Sequence, residues 1–139
     1  LRSSGSPRLV VYLEGELGAG KTTLVRGLLG ALGHAGRVPS PTYTLVEPYT
    51  VGGLAIFHVD LYRLRDPREL DDIGLAEQLA GPALGLVEWP DHGVGHLPPA
   101  DLRVLLALDG AGRSVAIEAA SPQGDRLIAE LQRAFPHPQ

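Results

Sequence analysis

The chain has no cysteine, no methionine, one tryptophan and one lysine. Without cysteine there are no disulfides and no thiolate metal sites, although this absence says little about compartment. Methionine is missing even at position 1, which points to a chain that begins after the natural start, with N-terminal sequence lost. Aromatic residues make up only 5% of the chain. Long apolar runs are also absent: Leu102 to Leu108, with Arg103 inside it, falls far short of the roughly 20 residues a membrane span needs. The first eight residues carry Ser, Gly, Pro and Arg rather than a basic start followed by an apolar stretch, so no secretory signal is visible and a cytoplasmic location is expected.

What is present is the composition of an ordinary globule, 44% hydrophobic and 20% charged over 139 residues. That length buries one core and leaves no room for a separate substrate domain, so a second substrate must sit on this domain or on a partner. The expected organisation is a flexible remnant over 1–8, one domain over 9–135 and a tail over 136–139. A net charge of -4 argues against a protein that grips nucleic acid unaided, since neutralising phosphates calls for a basic face. RNA, if involved, would be held by a partner. Of the 12 basic residues, all but Lys21 are arginines.

Leu9 to Leu13 is an apolar, branched run of strand length that ends before Gly15. From Thr22 onward, Leu24, Val25, Leu28, Leu29 and Leu32 recur at helical spacing, and Gly33 is placed to cap the helix. Tyr43 to Tyr49 and Leu54 to Val59 read as two strands of a hairpin turning at Gly52-Gly53. Asp66-Pro67-Arg68-Glu69 carries the signals of a helix start, and Gly74 interrupts that helix ahead of Leu75 to Leu79. Leu84 to Val87 is apolar without alternation, as in a strand covered on both faces, and ends at Glu88. Leu102 to Leu108 and Ser114 to Ala119 form a second hairpin, and a last helix starts at Ser121-Pro122 with Leu127, Ile128, Leu131 and Ala134 as its apolar stripe. The whole is an α/β fold of P-loop NTPase type, a mixed sheet flanked by helices.

Gly15-Glu16-Leu17-Gly18-Ala19-Gly20-Lys21-Thr22 fits the phosphate-binding (Walker A) pattern G-x-x-x-x-G-K-S/T, with a strand before it and a helix after it, the context this motif requires. Glycines let successive backbone N–H groups aim inward at phosphate oxygens, and the helix N-terminus adds its dipole. Lys21 is the point charge for the β and γ phosphates, and the Thr22 hydroxyl is a magnesium ligand. Two apolar strands end in carboxylates, Asp60 and Glu88, where ligands bind in open α/β sheets. One of them should serve magnesium and the other the attacking water. The guanine-reading signature Asn/Thr-Lys-x-Asp needs a lysine, and the one lysine is already in the phosphate loop, so ATP is the expected nucleotide.

Four motifs stand in order: the phosphate loop through Thr23, Ser40-Pro41-Thr42-Tyr43, His58-Val59-Asp60-Leu61-Tyr62-Arg63, and Leu86-Val87-Glu88-Trp89-Pro90. Together they resemble the TsaE (YjeE) family, from about Leu9 to the end of the chain. The resemblance implies a small bacterial ATPase, using ATP and magnesium, that serves N6-threonylcarbamoyladenosine synthesis in tRNA. It further implies two partners, the transferase subunit and its paralogous companion, whose complex is reset by hydrolysis of ATP to ADP and phosphate. By the same resemblance, Lys21 and Thr23 contact phosphate, Thr22 and Glu88 hold magnesium, Asp60 acts in catalysis, and Thr42 senses the γ phosphate. Trp89 is expected on a loop where it meets nucleotide or partner, and Arg113 near the nucleotide. Family members usually carry a segment before the first strand that covers the adenine side, where this chain has only Leu1 to Arg8.

Two other readings stay open at this level. The glycine loop also suits a small-molecule kinase, with Arg63, Arg65 and Arg68 as a basic lid offset by nearby acids. A nucleotide-dependent interaction module with little turnover of its own is the other. His92 and His96 lie four apart, but Pro90, Gly93 and Gly95 place them on a loop rather than as paired metal ligands on a helix.

Overall fold

The computed structural model describes residues 8–134 apart from Leu17, Ser40, Thr42 and Tyr43. The expected tail, nearly all of the N-terminal remnant, and Thr42 with Ser40 and Tyr43 beside it therefore lie outside the described residues.

Six strands form one sheet in the order β2-β3-β4-β1-β5-β6. The strands are β1 (Leu9–Glu14), β2 (Val46–Val51), β3 (Leu54–Asp60), β4 (Leu84–Glu88), β5 (Leu102–Asp109) and β6 (Gly112–Ala119). The inner strands β3, β4, β1 and β5 run parallel, and β2 and β6 are antiparallel edges joined to their neighbours by hairpins. The helices are α1 (Lys21–Leu32), α2 (Glu69–Asp72), α3 (Leu75–Ala80) and α4 (Pro122–Ala134), with a 3-10 turn over Pro90–Gly93. This is the P-loop NTPase-like α/β architecture expected.

Alternation along the inner strands sends neighbouring side chains to opposite faces, and both faces are covered. On one face Val25 and Leu29 of α1 pack with Val11, Leu13, Leu84 and Leu86, and α4 adds Leu127 and Ile128. On the other, Val59 and Val87 meet Leu70 of α2 and Leu75 and Leu79 of α3. At about 25 cal/mol per Å² of apolar surface removed from water, these two layers supply the main favourable term in folding. They also fix the sheet edge that carries the polar residues.

Local signals explain most boundaries. Gly33 ends α1 in a left-handed conformation, its N–H bonding back to Gly30 O. The Glu69 side chain accepts the Asp66 N–H at 3.1 Å and the Asp66 side chain accepts the Arg68 N–H at 3.0 Å, bonds that close the turn leading into α2. The Arg68 guanidinium and the Arg68 N–H hold the Asp66 carboxyl down at about 2. Gly74, at φ 69°, separates α2 from α3.

Two expectations need correction. The first hairpin strand starts at Val46, later than expected: Thr44 and Leu45 stand outside it, Leu45 at φ 69° with its N–H bonded to Pro41 O at 2.8 Å, and pairing begins where Val46 meets Val59, while Tyr43 lies outside the described residues. The stripe on α4 packs on the core at Leu127 and Ile128, whereas Leu131 and Ala134, in the last turns of the helix, are exposed.

Candidate functional site

The phosphate loop leaves β1 and enters α1 at the carboxyl ends of the parallel strands. Gly15 approaches β5 so closely that a Cβ there would come within 2.5 Å of the Leu106 carbonyl oxygen. Gly20, at φ 104°, occupies the N-cap of α1 in the left-handed conformation, and a Cβ on it would press on the Arg113 side chain at 3.2 Å. Both positions call for glycine for a stated steric reason. Between them Ala19 is buried, its N–H bonded to Glu16 O at 3.0 Å, while Glu16 and Gly18 are exposed. Leu17 lies outside the described residues.

Lys21 begins α1 only 6% exposed, its Nζ donating to the Gly15 carbonyl and, at 3.5 Å, to that of Glu16. Burial lowers its pKa, while the carboxylates of Glu88, Asp60 and Asp91 oppose that shift. The ammonium also lies 3.8 Å from the centre of the Trp89 ring, a cation–π contact.

The next residue, Thr22, donates its hydroxyl to Glu88, at 3.0 Å from Oε2 and 3.2 Å from Oε1. Glu88 ends β4, 2% exposed, and is in register with Asp60 at the end of β3, 6% exposed. Adjacent parallel strands about 4.8 Å apart thus present two carboxylates on one face of the sheet, beside the start of α1. Burial raises the pKa of Asp60, and Glu88 adds to that, while the Tyr62 N–H bonded to Oδ1 at 3.0 Å pulls the other way.

These groups line a cavity of about 300 Å³ between Lys21, Thr22, Asp60, Glu88 and Trp89. Thr23 and Arg63 also border it. Arg113 reaches the loop from the start of β6 and donates to the Gly18 carbonyl at 3.1 Å. The cavity therefore collects Gly18, Gly20, Lys21, Thr22, Thr23, Asp60, Glu88 and Trp89, and Arg113 braces the loop beside it. Thr42 lies outside the described residues.

Trp89 is one of two non-glycine residues at positive φ among the described residues, at 57°. Such a conformation costs energy and recurs at functional sites. Its ring packs on Tyr62 at 5.0 Å and on His92 at 5.5 Å between centroids. His92 is tied by Nδ1 to the Leu61 carbonyl at 2.8 Å, whereas His96 pairs with Asp71 at 3.0 Å, so the two histidines serve different partners.

The residue that sequence reasoning left without a role is His58. It is fully buried on the same strand and face as Asp60, and its Nε2 lies 2.6 Å from Glu88 Oε2. The signal was available: positions 58 and 60 share a face by the period of two.

The available donors are one hydroxyl and two carboxylates, all hard oxygen, lining the cavity beside the glycine loop. Magnesium is bound in this way, by one or two carboxylates with substrate phosphates and water completing its shell, so the residues fit that ion. Among the described residues no group of three His, Cys, Asp or Glu forms a site able to hold a metal alone.

Three comparisons bear on identity. The family model for "Threonylcarbamoyl adenosine biosynthesis protein TsaE" matches residues 1–115. A Haemophilus influenzae protein named "tRNA threonylcarbamoyladenosine biosynthesis protein TsaE" is 46% identical over 87% of this chain and 77% of its own length. A Bacillus subtilis protein of the same name is 38% identical over 91% of this chain and 80% of its own. The crystal structure of the Bacillus protein YdiB superposes with a TM-score of 0.77 at 32% identity, covering 92% of this chain and 79% of that one. With the family model matched over most of its length and relatives this similar, the chain belongs to the TsaE family.

Proposed function

We propose that this protein is a magnesium-dependent ATPase serving the N6-threonylcarbamoyladenosine modification of tRNA. The pathway rests on family membership and on the names its relatives carry. The chemistry rests on one observation above all: Thr22 of the phosphate loop is bonded to Glu88, with Asp60 in register beside it, both acids buried.

In this reading the loop N–H groups and Lys21 take the β and γ phosphates of ATP, Lys21 exchanging its loop carbonyls for phosphate oxygens. Thr22 and Glu88 would hold magnesium, which when bound offsets charge on the phosphate oxygens. Asp60 orients the attacking water and accepts its proton; a carboxyl whose pKa is raised by burial is a better proton acceptor than an exposed one. The products are ADP and phosphate. Partners enter as the transferase subunit and its paralogous companion, whose complex is reset by hydrolysis, and an acidic chain leaves contact with tRNA to them. A kinase lid is less well supported, because Arg68 is engaged with Asp66 at 2.8 Å on the surface.

The test is magnesium-dependent ATP hydrolysis by the protein alone and with both partners, beside Lys21→Ala and Glu88→Ala. Each variant should lose roughly 10²–10³-fold in partner-stimulated rate. Tight ATP binding without stimulation under any condition would instead make the protein a nucleotide-dependent binding module.

A further inference from the structure

Glu88 is held from two sides. Thr22 reaches it from the start of α1 at 3.0 Å, from the side of the phosphate loop, and His58 reaches it from within the sheet at 2.6 Å. The bond from His58 is the shorter of the two, and it joins two buried side chains, 0% and 2% exposed. Ionised carboxylate oxygens only accept, so the imidazole proton facing Glu88 sits on Nε2.

The other imidazole nitrogen, Nδ1, is buried without a hydrogen-bond partner. A buried polar atom left unpaired is unfavourable, and an apolar side chain at a strand position flanked by Ile56 and Leu86 would avoid it. As a packing residue, histidine is therefore a poor choice here. As a brace for Glu88 it is a good one, because Nε2 stands at the reach needed to fix the carboxylate while Thr22 remains free to exchange its partner.

We propose that His58 is a positioning residue for Glu88: it fixes the plane and rotamer of the carboxylate so that an oxygen is presented toward Thr22 and the phosphate cradle before any cation arrives. Groups that orient a metal-binding side chain from behind commonly change metal affinity by 10- to 100-fold when removed. The inference rests on the magnesium–nucleotide reading above. It adds a residue to which neither phosphate contact nor proton transfer is assigned.

The experiment measures the affinity of the wild-type protein for ADP by titration calorimetry, in EDTA and over a series of magnesium concentrations. His58→Leu, His58→Gln and His58→Asn are measured beside it, and circular dichroism melts report folding. The glutamine amide N–H can stand where Nε2 stands, and the shorter asparagine cannot. ADP affinity in EDTA should be unchanged in all variants, because the loop and Lys21 are untouched. The magnesium concentration giving half of the affinity gain should rise at least tenfold in His58→Leu and His58→Asn, and return to within about threefold of wild type in His58→Gln.

A leucine variant with wild-type magnesium response overturns the assignment of His58 alone. Equal loss of ADP affinity in EDTA by all three variants also overturns it, by making the histidine a fold residue. If His58→Leu does not fold, the contrast between glutamine and asparagine decides in the same way. A wild-type protein whose ADP binding ignores magnesium overturns the underlying reading, and the role of His58 with it.

Discussion

The centre and the flank of the sheet invert the usual placement of residue types. At the centre, where β3, β4 and β1 meet α1, the buried residues include Lys21, His58, Asp60 and Glu88. At the flank, β6 is exposed along almost its whole length and leaves Val115 and Ile117 open to solvent. Charge is usually costly to bury and apolar surface costly to expose. The centre accepts its cost because the apolar layers on both faces of β4 hold the acids against α1; the flank is an edge strand, hydrogen-bonded to a neighbour on one side only. The middle strands thus carry an unfavourable polar cluster between two apolar layers.

The substitution that should disturb the centre most is Asp60→Asn. In the mechanism proposed above Asp60 accepts the proton of the attacking water, so hydrolysis should fall by roughly 10²–10⁴-fold. Stability should move in the opposite direction. Burial, with Glu88 adding to it, raises the Asp60 pKa above the ordinary 3.8, so the folded chain holds a proton more tightly than the unfolded one. The stability this contributes is present at low pH and is lost as pH rises from about 3.8 through the raised value. Asparagine keeps an oxygen for the Tyr62 N–H and titrates nowhere, so the variant should melt above wild type at pH 7, with the gap closing toward pH 4. Melting curves across that range check it. A variant less stable at pH 7 would mean that the carboxylate is part of the scaffold rather than a burden on it.

A smaller effect is expected from truncating the layer that supports the acids. Leu86, two residues before Glu88 and 1% exposed, packs beneath α1. Leu86→Ala should cost about 2–5 kcal/mol, the range for a buried leucine whose site cannot collapse. For a chain of this size that is a melting temperature lower by roughly 10 °C. Calorimetry on the variant with and without ADP and magnesium would show whether ligand restores part of the loss, as binding to the folded state alone requires.

Much of the contrast between centre and flank is legible in the residues alone. The phosphate loop declares itself by spacing and by its flanking strand and helix, and the acids by their place at the ends of apolar runs. Glycine at 15 and 20 belongs to a pattern, although the reasons, the Leu106 carbonyl and the Arg113 side chain, come from distant parts of the chain. Three features are not legible in that way. Leu45 takes a left-handed turn that no local residue type signals, so the strand begins late. The contact of Lys21 with the Trp89 ring joins residues from two elements. His58 reads as part of a motif with no task of its own, because its partner Glu88 lies 30 positions away and only the parallel register of β3 with β4 brings them together. Local propensity locates elements; what they face is decided by strand order.

The smallest effect is expected at the flank. Ile117 is 48% exposed and in register with Val104 of β5, on the face that α4 partly covers. Threonine keeps the branched shape that favours a strand and replaces one arm with a hydroxyl that water can reach. Ile117→Thr should therefore change stability by no more than about 0.5 kcal/mol, a shift of roughly 2 °C or less in melting temperature. The same exchange at Ile56, fully buried in the central layer, would force an unpaired hydroxyl into the core and cost about 1–3 kcal/mol. The ratio of the two shifts measures how differently the sheet is buried at its centre and at its edge. If Ile117→Thr costs as much as Ile56→Thr, α4 covers β6 in solution far more completely, and the edge belongs to the core.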